Sequence, residues 1–272
     1  MFKGKKIAII GGGKMGSIIA RALLEQKFFP KRDITVTDID SARLDYIRST
    51  MRLQVSNDNK KTAKNANIII IAVKPQNMAA ALNEFGSAID ASKVVISIAA
   101  GITTSFIEAS LPKGARVLRV MPNTPALVGA GAAAVSKGKF ATAADVKLTR
   151  TIFDAVGISF EVDEKMMDAV TGLSGSGPAY FFLIIEALIE AGVKMGIPHD
   201  LAAKLSAQTM LGAARLCLQS DKQPAQLKEM VTSPGGTTAA GLKVLEAGRI
   251  RETVISAVEA ATKRSKELAG GK

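Results

Sequence analysis

Cysteine, histidine and the larger aromatics are almost missing from this 272-residue chain, which has one Cys, one His, two Tyr and no Trp. With Cys217 alone there is no intrachain disulfide and no cysteine-cluster metal site, so no metal is expected. Flanked by Leu216 and Leu218, that thiol reads as packed on a helix rather than as a reactive nucleophile. His199 lies between Pro198 and Asp200 at an expected helix start. A capping or surface role suits it better than catalysis, because nothing nearby completes a histidine–carboxylate–nucleophile set. With so few Tyr and Trp, and no stacking platform of aromatics alternating with the basic positions, a nucleic-acid partner is disfavoured despite a formal net charge of +12. The basic residues are spread along the whole chain and read as a solvated surface that attracts small anions. Long apolar runs are absent too: Ala66 to Val73, interrupted by Asn67, falls far short of the ~18 residues needed to cross a membrane. The first apolar run begins within a few residues of Met1, so neither a signal nor a transit peptide is expected, and a cytoplasmic location is.

At 47% hydrophobic and 22% charged the chain reads as globular, with length for about two domains. Its opening stretch, IAIIGGGKMGSIIA from Ile7 to Ala20, reads as strand, tight turn and helix start. Gly11, Gly13 and Gly16 have the GxGxxG spacing, which lets the backbone turn sharply, approach a pyrophosphate and pack helix against strand. The helix N-terminus then offers free N–H groups and the positive end of a dipole. Asp38 ends the next apolar run about 20 residues on, where a ribose-binding carboxylate belongs. Further strand-like runs are Asn67 to Ala72, Val94 to Ile98, Arg116 to Met121, Ala132 to Ser136 and Ile158 to Val162, after Ile7 to Ile10 and Ile34 to Thr37. Several are apolar at every position, as strands buried on both faces are. The pattern predicts an α/β fold: a Rossmann-type, mostly parallel sheet with helices on both faces over residues 1–162, then an all-helical domain over 163–272. Ligands bind beyond the carboxyl ends of such strands, so Val73, Lys74 and Pro75, Ala99 and Ala100, and Met121 to Pro125 are placed to line a site. Lys74 reads equally as a solvated charge.

In the second half, helices are expected over Glu164 to Thr171, Pro178 to Lys194, Pro198 to Leu218, Pro224 to Val231, Thr237 to Glu246 and Arg249 to Leu268. The helix with Phe181, Phe182, Ile184, Ile185, Leu188 and Ile189 is apolar nearly all round. It must be covered on all sides, and an intertwined homodimer would do so. The turn Ser233-Pro234-Gly235-Gly236 opens a helix at Thr237-Thr238, where free N–H groups and hydroxyls suit a small anion such as a carboxylate. It reads equally as a helix–helix turn in which Ser233 and Thr237 cap.

Six stretches together resemble the pyrroline-5-carboxylate reductase family over essentially the full length. They are IGGGKMG at Ile10 to Gly16, AVKPQ at Ala72 to Gln76, AAG at Ala99 to Gly101, RVMPNTP at Arg119 to Pro125, TGLSGSGPAY at Thr171 to Tyr180 and VTSPGGTTAAGLKVLE at Val231 to Glu246. The resemblance implies that Gly11, Gly13, Lys14, Met15 and Gly16 hold the phosphates of NADPH or NADH. It implies that Asn57, Val73, Lys74, Pro75, Ala99 and Ala100 line the rest of the cofactor site. Ser233, Gly235, Gly236, Thr237 and Thr238 would bind the carboxylate and ring nitrogen of a cyclic imine, with Thr238 nearest the nitrogen and Glu164 and Asp221 close by. The implied activity is reduction of 1-pyrroline-5-carboxylate to L-proline by direct hydride transfer to the C=N carbon. The implied assembly is a dimer through the helical domain, able to build larger rings. Asp38 favours a ribose hydroxyl, whereas Arg43 can pair with a 2′-phosphate, so both cofactors are expected to work. Dehydrogenases of the 6-phosphogluconate or 3-hydroxyacid type are the nearest rivals, but no lysine or histidine acid–base group appears in a matching context. A nucleotide-sensing regulator without catalysis is a further alternative, against which the intact SPGGTT turn counts.

Overall fold

The structure is a computed structural model, of which residues 2–270 are described. Its strands are β1 Ile7–Ile10, β2 Ile34–Thr37, β3 Gln54–Ser56, β4 Ile68–Ile71, β5 Val94–Ser97, β6 Arg116–Met121, β7 Gly131–Lys137 and β8 Gly157–Glu161. They form one sheet in the order β3-β2-β1-β4-β5-β6-β7-β8, parallel throughout except for β6 against β7. The helices beside the sheet are α1 Lys14–Glu25, α2 Ser41–Met51, α3 Asn59–Asn65, α4 Met78–Phe85, α5 Thr104–Ala109 and α6 Ala143–Asp154. They are followed by α7 Met167–Val170, α8 Gly177–Lys194, α9 His199–Gln219, α10 Pro224–Met230, α11 Thr237–Ala247 and α12 Ile250–Gly270.

The strand period of two divides the core cleanly. Ile7, Ile9, Ile68 and Ile70 point to one face, where Ile19 and Leu23 of α1 and Ile47 of α2 meet them. Ala8, Ile10, Ile69 and Ile71 point to the other, against Met78, Leu82 and Phe85 of α4. Ile68–Ile71 is wholly buried on both faces, each side chain contributing about 1.5–3 kcal/mol over the exposed state. The chain steps outward from β1 to β3 in one direction and from β4 to β6 in the other. This reversal leaves a crevice beyond the carboxyl ends of β1 and β4.

Three features depart from the sequence reading. β3 was not expected: it is three residues long, lies at the sheet edge, and has a burial pattern too polar to stand out. Glu164 to Thr171 is not one regular helix but a 3₁₀ turn at Glu164–Met166, the short α7, and a π turn at Thr171–Gly175. There the hydroxyls of Thr171 and Ser174 donate to the carbonyls of Met167 and Val170, competing with the backbone ladder, and the Ser176 N–H reaches the Thr171 carbonyl at 2.8 Å. The helical stretch Glu164–Lys194, at 31 residues, is also long and apolar enough to cross a membrane, although no uninterrupted apolar run approaches that length.

By contact the chain falls into two compact units, one running to Ser176 and taking in the residues from Ala260 onward, the other Gly177–Glu259. That division lies beyond residues 162 and 163 because Glu164 and Asp168 are bonded to Thr104 and Arg119, and Ser265 of α12 to Asp168. Within the second unit α8 packs on α9, and Gly192 lets Ala202 come close: a Cβ on Gly192 would stand 3.0 Å from that of Ala202. Most apolar side chains of α8 remain uncovered in the single chain, with Phe181, Phe182 and Leu183 exposed by 57–66%. Cys217 is exposed as well, contrary to the packed thiol expected, because α9 buries little beyond Ala202 within one chain.

Candidate active site

The glycine turn sits at the crevice, and its glycines have separate physical reasons. Gly11 adopts φ +104°, and a Cβ there would meet the Ala72 carbonyl oxygen at 2.7 Å, so only glycine lets β1 turn against the end of β4. A Cβ on Gly16 would overlap the Gly11 carbonyl oxygen, so that glycine lets α1 seat on the turn. Gly13 is the N-cap of α1, has no side-chain cap, and has nothing within 4 Å of where a Cβ would be. Open space before an uncapped N-terminus is a cradle for a pyrophosphate, so the turn fits a dinucleotide. Gly12, missed in the sequence reading although visible in the GGG string, is buried: a Cβ there would stand 2.8 Å from Ile47 Cδ1.

Asp38 follows β2 and is locked in place. Its Oδ2 accepts from the Gly12 N–H at 2.8 Å and from Arg43 Nη1 at 3.2 Å, and its Oδ1 accepts from the Asp40 N–H at 3.0 Å. Arg43 also reaches Asp40 Oδ2 at 3.5 Å, so its guanidinium is shared between two carboxylates. These groups border a cavity of about 650 Å³ that is also lined by Gly11, Gly13, Val73, Lys74, Asn59 and Glu84. Asn57 is exposed and outside that lining. Asn59 is there instead: it accepts from the Thr37 hydroxyl at 2.5 Å and donates through Nδ2 to Glu84 Oε2 at 2.8 Å. It opens α3 two residues beyond Asn57, and that nearness is the only signal in the sequence that could have found it.

Lys14 is exposed and lines a second cleft of about 880 Å³, which shares Gly13 and Arg43 with the first. Met15 packs against the core cluster that includes α1 and α2. Lys74 is exposed and precedes a single 3₁₀ turn begun by Pro75. Ala99, buried, and Ala100, half-buried, follow β5 outside the lining of the 650 Å³ cavity.

Glu164 has both oxygens engaged. Oε1 accepts from the Thr104 N–H at 2.7 Å and Oε2 from the Thr104 hydroxyl at 2.6 Å, while Arg119 Nη1 lies 3.5 Å from Oε1. Arg119, 3% exposed on β6, also faces Asp168 at 3.9 Å, and Asp168 accepts from the Ser265 hydroxyl at 2.7 Å. A buried guanidinium needs such partners. The sequence reading passed over Arg119, although a charge inside the apolar run RVLRVM announces a buried partner.

In the second unit, Gly235 takes φ +70° and the Gly236 N–H donates to the Ser233 carbonyl at 3.0 Å, closing the SPGG turn. Gly236 is the N-cap of α11, and no side chain caps it, so the hydroxyls of Ser233 and Thr237 are not used for capping. Thr237 is exposed and Thr238 half-buried in the first turn. Asp221 stands exposed between α9 and α10, and His199 lies exposed beside Asp200.

A profile for pyrroline-5-carboxylate reductase dimerisation matches residues 164–268, and one for NADP oxidoreductase, coenzyme F420-dependent, matches residues 6–101. The pyrroline-5-carboxylate reductase of Methanosarcina acetivorans is 43% identical over 264 residues, spanning 97% of this chain and 98% of its own. The chain belongs to the pyrroline-5-carboxylate reductase family. Among solved structures, the family member from Coxiella burnetii superposes with a TM-score of 0.91 at 39% identity, covering 97% of this chain and 98% of its own. The enzyme of Plasmodium falciparum, solved with NADP bound, superposes with a TM-score of 0.90 at 35% identity, covering 99% and 100%. The chain is accordingly an NAD(P)-dependent oxidoreductase with a Rossmann-like sheet and a C-terminal helical dimerisation region. The dimerisation profile spans α8 and α9, the helices with uncovered apolar faces.

Proposed function

We propose that this chain catalyses the NAD(P)H-dependent reduction of 1-pyrroline-5-carboxylate to L-proline, the last step of proline biosynthesis. The observation that carries the reading is family membership over nearly the whole chain, with both the glycine turn and the SPGGTT turn intact. Bound NAD(P)H supplies the hydride for the C=N carbon, and no nucleophile or metal is needed. What the chain must do is hold the pyrophosphate at Gly13 and the N-terminus of α1, and the substrate carboxylate at Ser233, Gly235, Gly236 and Thr237. As the C=N bond becomes a single C–N bond, the ring nitrogen takes one proton. The Thr238 hydroxyl donates a hydrogen bond to that nitrogen or relays the proton from water. Asp221 stays with the substrate site as part of this reading, whereas the bonds of Glu164 favour a role in holding Thr104 and Arg119.

NADH serves as well as NADPH in this reading, because Asp38 lies where the ribose 2′-oxygen of a dinucleotide belongs and Arg43 is already shared by two carboxylates. A second copy covers α8, giving a homodimer able to build a ring. No bilayer and no nucleic acid is needed, and the enzyme works in the cytoplasm with residues 1–162 and 163–272 as its two functional domains. The test is loss of nicotinamide absorbance on mixing the purified protein with pyrroline-5-carboxylate, with NADH and NADPH in parallel. Rapid oxidation with either is expected, and none with either from folded protein refutes the assignment.

A further inference from the structure

Five of the 36 basic residues, scattered in sequence, are gathered at one edge of the sheet. Parallel strands that begin at one edge of the sheet place the residues just before them together, and here those residues are Lys6 before β1, Arg32 in the turn before β2 and Lys93 before β5. α3 returns to the same edge and brings Lys61 and Lys64. This edge is opposite the carboxyl ends that form the cofactor crevice, so its charge serves no step described above.

A cleft of about 500 Å³ opens at this edge, lined by Lys6, Arg32 and Lys61 with the polar side chains of Thr35, Gln54, Ser56, Thr62 and Asn65. Asp33 is its one carboxylate. Among the described residues none of these three cations has an ion-pair partner. The end of α3 forms part of the wall, and its carbonyls would ordinarily repel an anion. Lys93 removes that obstacle: its Nζ, on a residue only 7% exposed, donates to the Lys64 carbonyl at 2.9 Å and the Ala66 carbonyl at 2.6 Å. No carboxylate pairs with it among the described residues. Asp90, the acid that feels its field, is turned to Ser92, whose hydrogen bonds hold the Asp90 carboxyl below its ordinary range more than Lys93 does. A buried ammonium without a carboxylate partner, at the edge that carries three unpaired surface cations, is a surplus of positive charge.

We propose that this cleft binds a small, multiply charged phosphate-type anion, at a site separate from the dinucleotide crevice. Its concave, hydrogen-bonding wall suits a compact anion, and no aromatic side chain lines it to stack a base. Binding of inorganic pyrophosphate is measured by calorimetry at physiological salt, with NADH saturating so that the glycine turn does not compete. The Arg32→Gln/Lys61→Gln double variant, both positions exposed and remote from the cofactor, is measured beside the wild type. The expected result is saturable binding that the double variant weakens by ~10-fold or more, with kcat and the KM for NADH unchanged. Equal affinity of the two proteins, or no saturable binding, overturns the proposal. So does tight binding of a 20-mer oligonucleotide by a protein that ignores pyrophosphate, which would give the edge to nucleic acid.

Discussion

Replacing Asp38 with asparagine tests how the ribose end of the cofactor site is read. In the wild type the Asp38 carboxylate holds the buried Gly12 N–H, the Asp40 N–H and Arg43, and its side chain is only 7% exposed. A ribose 2′-hydroxyl donating to that carboxylate contributes about 1.5–3 kcal/mol as a bond to a charged group. A 2′-phosphate at ~4 Å is opposed by about 1–4 kcal/mol per charge pair, depending on how much solvent remains. Asparagine keeps an oxygen for the Gly12 N–H, which an alanine would leave orphaned at a cost of about 1–3 kcal/mol. It also drops the charge and releases Arg43 from one of its two anchors. Steady-state rates with each cofactor at fixed imine should therefore show kcat/KM for NADH falling by ~10- to 100-fold and that for NADPH rising by ~5-fold or more. Melting should be shifted by only a few degrees. A cofactor ratio within threefold of wild type would refute the reasoning, as would a wild type that already prefers NADPH by ~100-fold.

Four further perturbations follow from the geometry. Gly16→Ala drives a Cβ into the Gly11 carbonyl and must shift the turn, so dinucleotide affinity measured by fluorescence titration should collapse; unchanged affinity would mean α1 is not seated as described. Glu164→Gln takes a charge from buried Arg119 and should lower stability by about 1–3 kcal/mol while leaving the imine KM near wild type. A large KM rise without loss of stability would return Glu164 to the substrate site. Thr238→Ala should slow turnover without abolishing it, because a threonine hydroxyl is a weak acid whose place water can take; wild-type kcat would remove Thr238 from the mechanism. Leu183→Asp, on the uncovered face of α8, should shift the protein from dimer to monomer in sedimentation, and a persistent dimer would take that face out of the interface.

The sheet was legible because β1 and β4 are apolar at every position and β5 at all but its last, Ser97, a pattern that burial on both faces explains. β3 escaped for the complementary reason: an edge strand of three mostly polar residues has neither length nor pattern to show itself. The glycine turn was legible as spacing, but spacing does not divide the labour between Gly11, held at positive φ, Gly13, open to solvent, and Gly16, closed against Gly11. Asp38 was legible from its distance along the chain. That Arg43 is bound to it was not, since the contact depends on how α2 leaves its cap at Asp40. The role given to Asn57 came from resemblance alone, and that given to Glu164 from resemblance and its place at the junction of the two halves. The structure brings Asn59 to the cavity instead, and spends both oxygens of Glu164 on Thr104 and Arg119.

α8 marks the limit of such reading most clearly. Composition establishes that a helix apolar nearly all round must be covered, and three covers satisfy that condition: a sheet face, a lipid bilayer or a second copy. Sequence periodicity does not separate them, because each imposes the same demand on the side chains. The first is absent from its own compact unit, which among the described residues holds helices and no strand, and there Phe181, Phe182 and Leu183 are exposed. The remaining two differ in what surrounds the helix. A spanning segment needs flanks that can sit at a membrane surface, whereas α8 packs along α9 through Gly192 and Ala202 and stands among further helices carrying both acids and bases. Over this same region the chain matches a family profile for dimerisation, which favours a second copy as the cover. A lone subunit leaves this apolar face in water, which weakens the packing of the helical unit that carries the SPGGTT turn. Loss of the dimer should therefore take the activity with it.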